Sequence, residues 1–432
     1  MPQPRPTTDP FSEEFTRDPY TALAEERAVG PVQQFTRPDG HQVYRILGHA
    51  EARSALSDRR FSTDPRRVGR VLAGSGAGQP EGNPPRNLML TDPPDHDRLK
   101  RLVVRAFTPG RVEALRPRIQ EIVDDLLDAI APVGRADLID ALAVPLPMAI
   151  LCELLGVPHE DRERFRAWSD AAFLPKGREL NGLSSADGMR LLAGYIKETI
   201  AQRRSQAAAG DAEGAADLLT GLVAARDAAD GRLDEEELIS IAVQLLAAGH
   251  ETTAKAIGNA VHTLLTHPDQ LADLRADPSL MAGAVEELLR FDGPILSATI
   301  RVTTEDVELG GVVIRADSLV SVVMGAADRD GAQFTQPDVF DIRRPDSKRH
   351  LQLGYGIHYC LGAPLGRLQC EIALATLLLR FPDLELGVPP ERIRWRRYMN
   401  MRGLQELPVT FSPVPPSAPA EGRPSGSGLV AV

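Results

Sequence analysis

The sequence predicts a mainly α single domain with small peripheral β-sheets. Three observations lead there. Apolar residues recur at helical spacing through the middle of the chain. Strand-like runs are short and fall toward the two ends. No internal repeat or linker divides the chain. At 432 residues, 43% hydrophobic and 25% charged, the chain can bury a large core.

Residues 1–10 read as a disordered tail. Helices are expected near 19–28, 49–57, 93–106, 111–130, 144–155, 160–172, 187–205, 215–226, 234–266, 268–275, 279–291 and 363–380. Strands are expected near 31–36, 41–46, 298–303, 306–309, 312–314, 318–323 and 393–395. Residues 63–86, rich in Gly, Pro and Arg, read as a long loop. Residues 412–432 (SPVPPSAPAEGRPSGSGLVAV) lack the apolar surface to offset ordering and read as a second tail, which bounds the folded domain at 11–411.

Composition excludes several classes. The net charge of -11 disfavours nucleic acid as a partner. No apolar run is long enough for a membrane span, and the N-terminus lacks the basic and apolar regions of a signal peptide. The three cysteines, Cys152, Cys360 and Cys370, form no C-x-x-C, against a disulfide framework, a zinc ribbon or covalent haem attachment. A reducing cytoplasm is the expected setting.

The most informative segment is LGYGIHYCLGAPLGR, 353–367. Gly354, Gly356 and Gly362 flank Cys360, and glycine allows positive φ and close backbone approach. Pro364 marks a helix start whose positive end would favour a thiolate. A metal-binding thiolate fits this pattern. So does a small buried cysteine between tight turns, or a free thiol, although no base is placed to activate one.

The run 234–266 opens on DEEEL, with Asp234 as cap and acidic residues suiting the dipole. Its centre, LLAAGHETTA, combines a costly Gly249 with β-branched Thr252 and Thr253. The small Ala247, Ala248 and Gly249 leave room for something flat. Thr252 can bond back to the carbonyl of residue 248 and loosen the helix. Glu251 beside Thr252 makes an acid–alcohol relay available. A kinked core helix with a partly exposed Glu is the ordinary alternative. Zinc at His250-Glu251 fails, because H-E-x-x-H needs His where Ala254 stands.

Glu287 and Arg290 lie three apart on one helix face, a common surface pairing. His96 and Lys100 lie four apart after TDPP and could hold an anion together, or form a solvated basic face. Residues 98–111, RLKRLVVRAFTPGR, hold basic side chains and no acidic one.

Together these motifs resemble the cytochrome P-450 superfamily over roughly residues 10–411. The cysteine loop is similar to F-G-x-G-x-H-x-C-x-G, with Gly354, Gly356, His358, Cys360 and Gly362 in register and Leu353 in place of Phe. The family's ring shields the thiolate, so Leu353 implies a more basic or more exposed ligand. Ala248 to Thr253 resembles the oxygen-binding helix, and Glu287, Arg290 and Arg344 resemble the E-x-x-R group with its later arginine. The resemblance implies one domain of about a dozen helices holding haem b through Cys360. His96, Lys100, Arg301 and His358 would meet the haem propionates, with Lys100 as a point charge where the family has a forked Arg. Gly249 and Thr252 would border the O2 site, and Glu251 and Thr252 would deliver protons.

The implied activity is that of a haem-thiolate monooxygenase that hydroxylates or epoxidises a bulky lipophilic molecule. The match is closest to actinobacterial members acting on polyketide- and macrolide-type secondary metabolites. With no nucleotide fingerprint in the chain, electrons would come from a ferredoxin and its reductase, and the basic 98–111 segment would steer the acidic donor. A monomer is expected. Substrate contacts by position are Leu88, Met89, Leu245, Ala248, Leu296 and Met399; Met89 and Met399 could equally fill core. A haem-binding sensor or isomerase, or a haem-free Cys360 enzyme, are the rival classes.

Overall fold

A computed structural model describes residues 12–37, 40–73, 87–172, 179–208, 218–227, 234–396 and 400–415. Two compact units emerge, each assembled from more than one stretch of chain. The first takes residues 1–82, 116–145 and 252–432, the second 83–115 and 146–251.

In the first unit, a five-stranded mixed sheet runs in the order Val32–Thr36, Gln42–Ile46, Leu319–Val322, Arg301–Thr303, Phe61–Ser62. Leu319–Val322 pairs parallel to Gln42–Ile46 with Leu319 opposite Val43, and antiparallel to Arg301–Thr303. Its apolar face buries Val32, Ile46, Phe61, Val320 and Val322 with Ala52, Ala55 and Leu56 of the helix His49–Ser57. Glu385–Leu386, Pro408–Thr410 and Arg135–Asp137 form a second sheet. Helices Arg116–Ile130, Met281–Asp292 and Ala363–Arg380 bury most of their apolar side chains in this unit.

The expected helices form, with four adjustments. The 93–106 stretch is α-helical over Asp95–Val103 and then tightens into a 3-10 turn, Val104–Phe107. The 111–130 stretch breaks into Pro109–Glu113 and Arg116–Ile130. Pro117 has no N–H to return to the preceding turn, so the helix restarts just before it. The supposed loop 63–86 contains a helix, Pro65–Ala73. Its Val68, Val71 and Leu72 pack on Val43, Val302 and Leu319, a spacing hidden among the arginines. Finally, 393–395 is no strand, since only the isolated bridge Trp395–Leu404 forms there.

The second unit contains Asp95–Val103, Arg162–Ala172, Ser185–Ala208 and the first half of the long helix Glu235–Thr266. Ser185–Ala208 packs on Arg162–Ala172 so closely that a Cβ on Gly188 would lie 2.6 Å from the Trp168 carbonyl. A hairpin precedes it, Glu179–Leu180 against Leu183–Ser184, turning on Asn181 and Gly182, both at positive φ. Among the described residues no helix is long and apolar enough to cross a membrane.

Glu287 organises the centre of the first unit. Its carboxylate accepts from Arg290 Nε at 2.6 Å and Nη2 at 2.8 Å, and from Arg344 Nε at 3.1 Å. Both guanidiniums also donate to main-chain carbonyls, Arg290 to Asp328 and Pro337, Arg344 to Thr335 and Val339. One buried anion thus fastens the 328–344 segment to a helix. Glu287→Gln would leave two buried cations without their counter-charge. It is expected to cost about 3–5 kcal/mol, read as a lower apparent Tm in thermal unfolding.

Candidate active site

The cysteine loop takes its shape from two glycines. Gly354 and Gly356 both sit at φ 73°, in the left-handed region. A Cβ on Gly356 would come within 2.9 Å of the Leu56 carbonyl, so no other residue lets the loop lie so close to the helix His49–Ser57. Gly362 differs. Its φ is -82°, and no protein atom lies within 4 Å of where its Cβ would be. It keeps a space open two residues after Cys360. The Leu353 carbonyl accepts the Cys360 N–H at 2.8 Å, a contact that needs no particular side chain.

Cys360 is exposed to solvent, yet burial pushes its thiol up. Against that desolvation, the N–H groups of Gly362 and Ala363 and the Arg367 guanidinium favour the thiolate. The helix Ala363–Arg380 begins immediately after, with Pro364 in its first turn. Cys152 and Cys370 are buried, and burial pushes each thiol up to about 12, so neither offers a thiolate.

The long helix runs unbroken from Glu235 to Thr266. Asp234 and Glu237 cap it reciprocally: Asp234 Oδ1 accepts from Glu237 N at 2.7 Å, and Glu237 Oε2 from Asp234 N at 3.2 Å. At its centre Leu246 and His250 are buried while Ala248 is exposed and Leu245 half-buried, so one face looks onto open space. Gly249 also has a packing role. Its Cβ would meet Leu151 at 3.0 Å, so the missing side chain lets the helix Pro145–Leu154 approach. Glu251 and Thr252 are half-buried and Thr253 is buried. A Cβ on Gly366 would lie 3.9 Å from Thr253 Oγ1, which sets the post-cysteine helix beside the long one. His250 lies 3.9 Å from Asp170, and no group of three metal-ligating side chains occurs among the described residues.

The basic residues are split between the units. Arg301 is buried in its strand and donates to the Phe61 carbonyl at 3.2 Å; His358 ends the single turn Gly356–His358. In the second unit His96 is buried and Lys100 half-buried on one helix face. Desolvation lowers the pKa of both, an effect that an anionic ligand would oppose.

The substrate candidates divide. Met89 and Ala248 are exposed and Leu245 is half-buried. Leu88 is buried, its N–H bound to Gln244 Oε1 at 2.9 Å. Leu296 belongs to a core cluster with Phe15, Leu23 and Leu47, because the turn after Pro294 sends its side chain inward. Met399 lies outside the described residues. The 98–111 segment is less uniformly exposed than its composition implies. Arg98 turns inward and forks onto Glu237 at 2.6 and 2.9 Å, leaving Arg101 and Arg111 exposed.

A family model described as Cytochrome P450 matches residues 185–397. Cytochrome P450 monooxygenase PikC of Streptomyces venezuelae is 46% identical over 93% of each chain. The chain belongs to the cytochrome P450 family. The 6-deoxyerythronolide B hydroxylase of Saccharopolyspora erythraea is 42% identical, over 92% of this P450 and 97% of the relative. The structure of a myxobacterial P450 in complex with myristic acid superposes with a TM-score of 0.84 at 36% identity, covering 93% of this chain and 98% of the other. This P450 is a monooxygenase related to macrolide and polyketide hydroxylases and epoxidases, and its family implies a haem-thiolate cofactor. One accessible cysteine under helix N–H groups, with space left by Gly362, fits that group.

Sequence reasoning missed Glu286. It accepts from Arg367 Nε at 2.5 Å and from His350 Nε2 at 3.1 Å. Arg367 stands seven residues after Cys360, one turn into the helix Ala363–Arg380, and that placement was the available signal. Burial alone would raise the Glu286 carboxyl, but its hydrogen bonds to His350 and Arg367 bring it down to about 2. The stabilisation it contributes is complete above the unfolded value of 4.5 and is lost as pH falls toward 2. The stability gap between the parent and Glu286→Gln is therefore expected to close across that window, followed as apparent Tm against pH.

Proposed function

We propose that this P450 binds haem b through the Cys360 thiolate and oxygenates a bulky lipophilic molecule of the polyketide or macrolide type. The observation that carries the proposal is the exposed Cys360 beneath the Gly362 and Ala363 N–H groups. Bound there, haem supplies the activation of O2 and transfer of one oxygen atom to a C–H or C=C bond. The chain's own residues do the rest. Gly362 and Ala363 hold the sulfur as thiolate. Arg301, His358, His96 and Lys100 bind the carboxylate side chains of the cofactor and fix its orientation. Thr252 holds a proton at its hydroxyl, and Glu251 replenishes it from the solvent side. Met89, Leu245 and Ala248 line the apolar space for substrate and exclude water from it.

Electrons come from a ferredoxin that its reductase keeps reduced. Among the described side chains of the segment we assign to docking, Arg101 and Arg111 are exposed cations, and they suit an acidic partner. The similarity to relatives named for macrolide-type molecules, together with the apolar Met89, Leu245 and Ala248, supports hydroxylation or epoxidation of such a substrate.

Cys360→Ala is expected to abolish the red-shifted Soret band of the reduced CO complex. Persistence of that band would overturn the ligand assignment. Thr252→Ala should retain haem and substrate binding, the latter read as a low-to-high-spin change with a macrolide panel. It should release most of the consumed O2 as hydrogen peroxide, lowering product per NADPH several-fold. Unchanged coupling would remove Thr252 from proton delivery.

A further inference from the structure

Behind Cys360 lies a chain of polar contacts that the proposed chemistry does not use. Glu286 precedes the structural Glu287 and is buried. Its Oε1 accepts from Arg367 Nε at 2.5 Å, and its Oε2 accepts from Arg367 Nη2 and is bonded to His350 Nε2, both at 3.1 Å. The two parallel bonds form a fork that fixes the guanidinium plane. The remaining arm, Arg367 Nη1, donates to Tyr359 Oη at 3.1 Å. Tyr359 is the residue before Cys360, and Arg367 stands seven residues after that cysteine, one turn along the helix that starts at Ala363. One guanidinium is thus tied to the loop on one side and to a buried anion on the other.

We propose that Arg367, oriented by Glu286 and braced on Tyr359, sets the reduction potential of the haem–thiolate centre. Glu286 is then a positioning residue that also partly offsets the cation. The inference rests on Cys360 being the haem ligand. One-electron reduction takes an electron from an external donor and lowers the net charge of the centre by one. A fixed cation near the sulfur favours that more negative state, and a nearby anion opposes it. Partial burial keeps solvent from screening the charges fully: Arg367 is 26% exposed and Glu286 5%. Lys at position 367 would keep the charge but lose the fork.

The test is potentiometric titration, with dithionite and redox mediators, of the full haem-loaded chain without substrate. Parent, Arg367→Leu, Arg367→Lys and Glu286→Gln are compared after each is checked for the red-shifted CO band. Arg367→Leu should shift the potential downward, Arg367→Lys should fall between it and the parent, and Glu286→Gln should shift it upward. A merely structural clamp would move every variant in the same direction by loosening the loop. Shifts of one sign, or no shift, would overturn the inference. If Arg367→Leu does not hold haem, opposite shifts in Arg367→Lys and Glu286→Gln support it and like shifts refute it. Absence of the CO band in the parent would instead sink the ligand assignment beneath it.

Discussion

The rest of this molecule depends on a sulfur atom facing the start of a helix. Desolvation of that sulfur resists its ionisation, and the N–H groups of Gly362 and Ala363 together with the Arg367 guanidinium work against that cost. That demand shapes its surroundings. The loop must turn through left-handed φ at Gly354 and Gly356, and must lie against the Leu56 carbonyl where no side chain fits. It must also leave the space beside Gly362 vacant of protein. Proline in the first helical turn starts the helix without wasting a donor.

Two adjacent carboxylates then divide the labour on the helix Met281–Asp292. Glu287 holds two buried arginines that gather the carbonyls of the 328–344 segment. Glu286 faces His350 and Arg367 and so belongs to the side nearest the cysteine loop. Successive residues on a helix point about 100° apart, so neighbours in sequence serve different neighbourhoods. The pairing is one reason the fold tolerates so much buried charge: each ion is met by a partner and by further hydrogen bonds.

Much of this was readable in the chain itself. The helix Ala363–Arg380 and the helix His49–Ser57 have the bounds that apolar spacing indicates, and Arg344 meets Glu287 as the motif implies. What was not readable had physical causes. The helix Pro65–Ala73 hides its three apolar contacts among arginines, whose charge says nothing of their backbone. Leu296 looks like a pocket residue by position, but the preceding turn directs it into the core. Gly249 signals closeness without saying to what, and the partner proved to be Leu151. Arg98 counts as surface charge in a composition, although Glu237 withdraws it. In each case side-chain direction, which spacing alone does not carry, decided the outcome.

Glu237 serves two elements of the second unit at once. This carboxylate caps the long helix and also grips Arg98, on the helix that carries His96 and Lys100. Farther along, Leu151 fills the notch at Gly249. Between these two points Leu238, Ile241, Ala242 and Leu246 are buried and Gln244 holds the Leu88 N–H, while Ala248 is exposed and Leu245 half-buried. Side chains at positions 245 and 248 can therefore be exchanged without shifting the register of the helix that carries them.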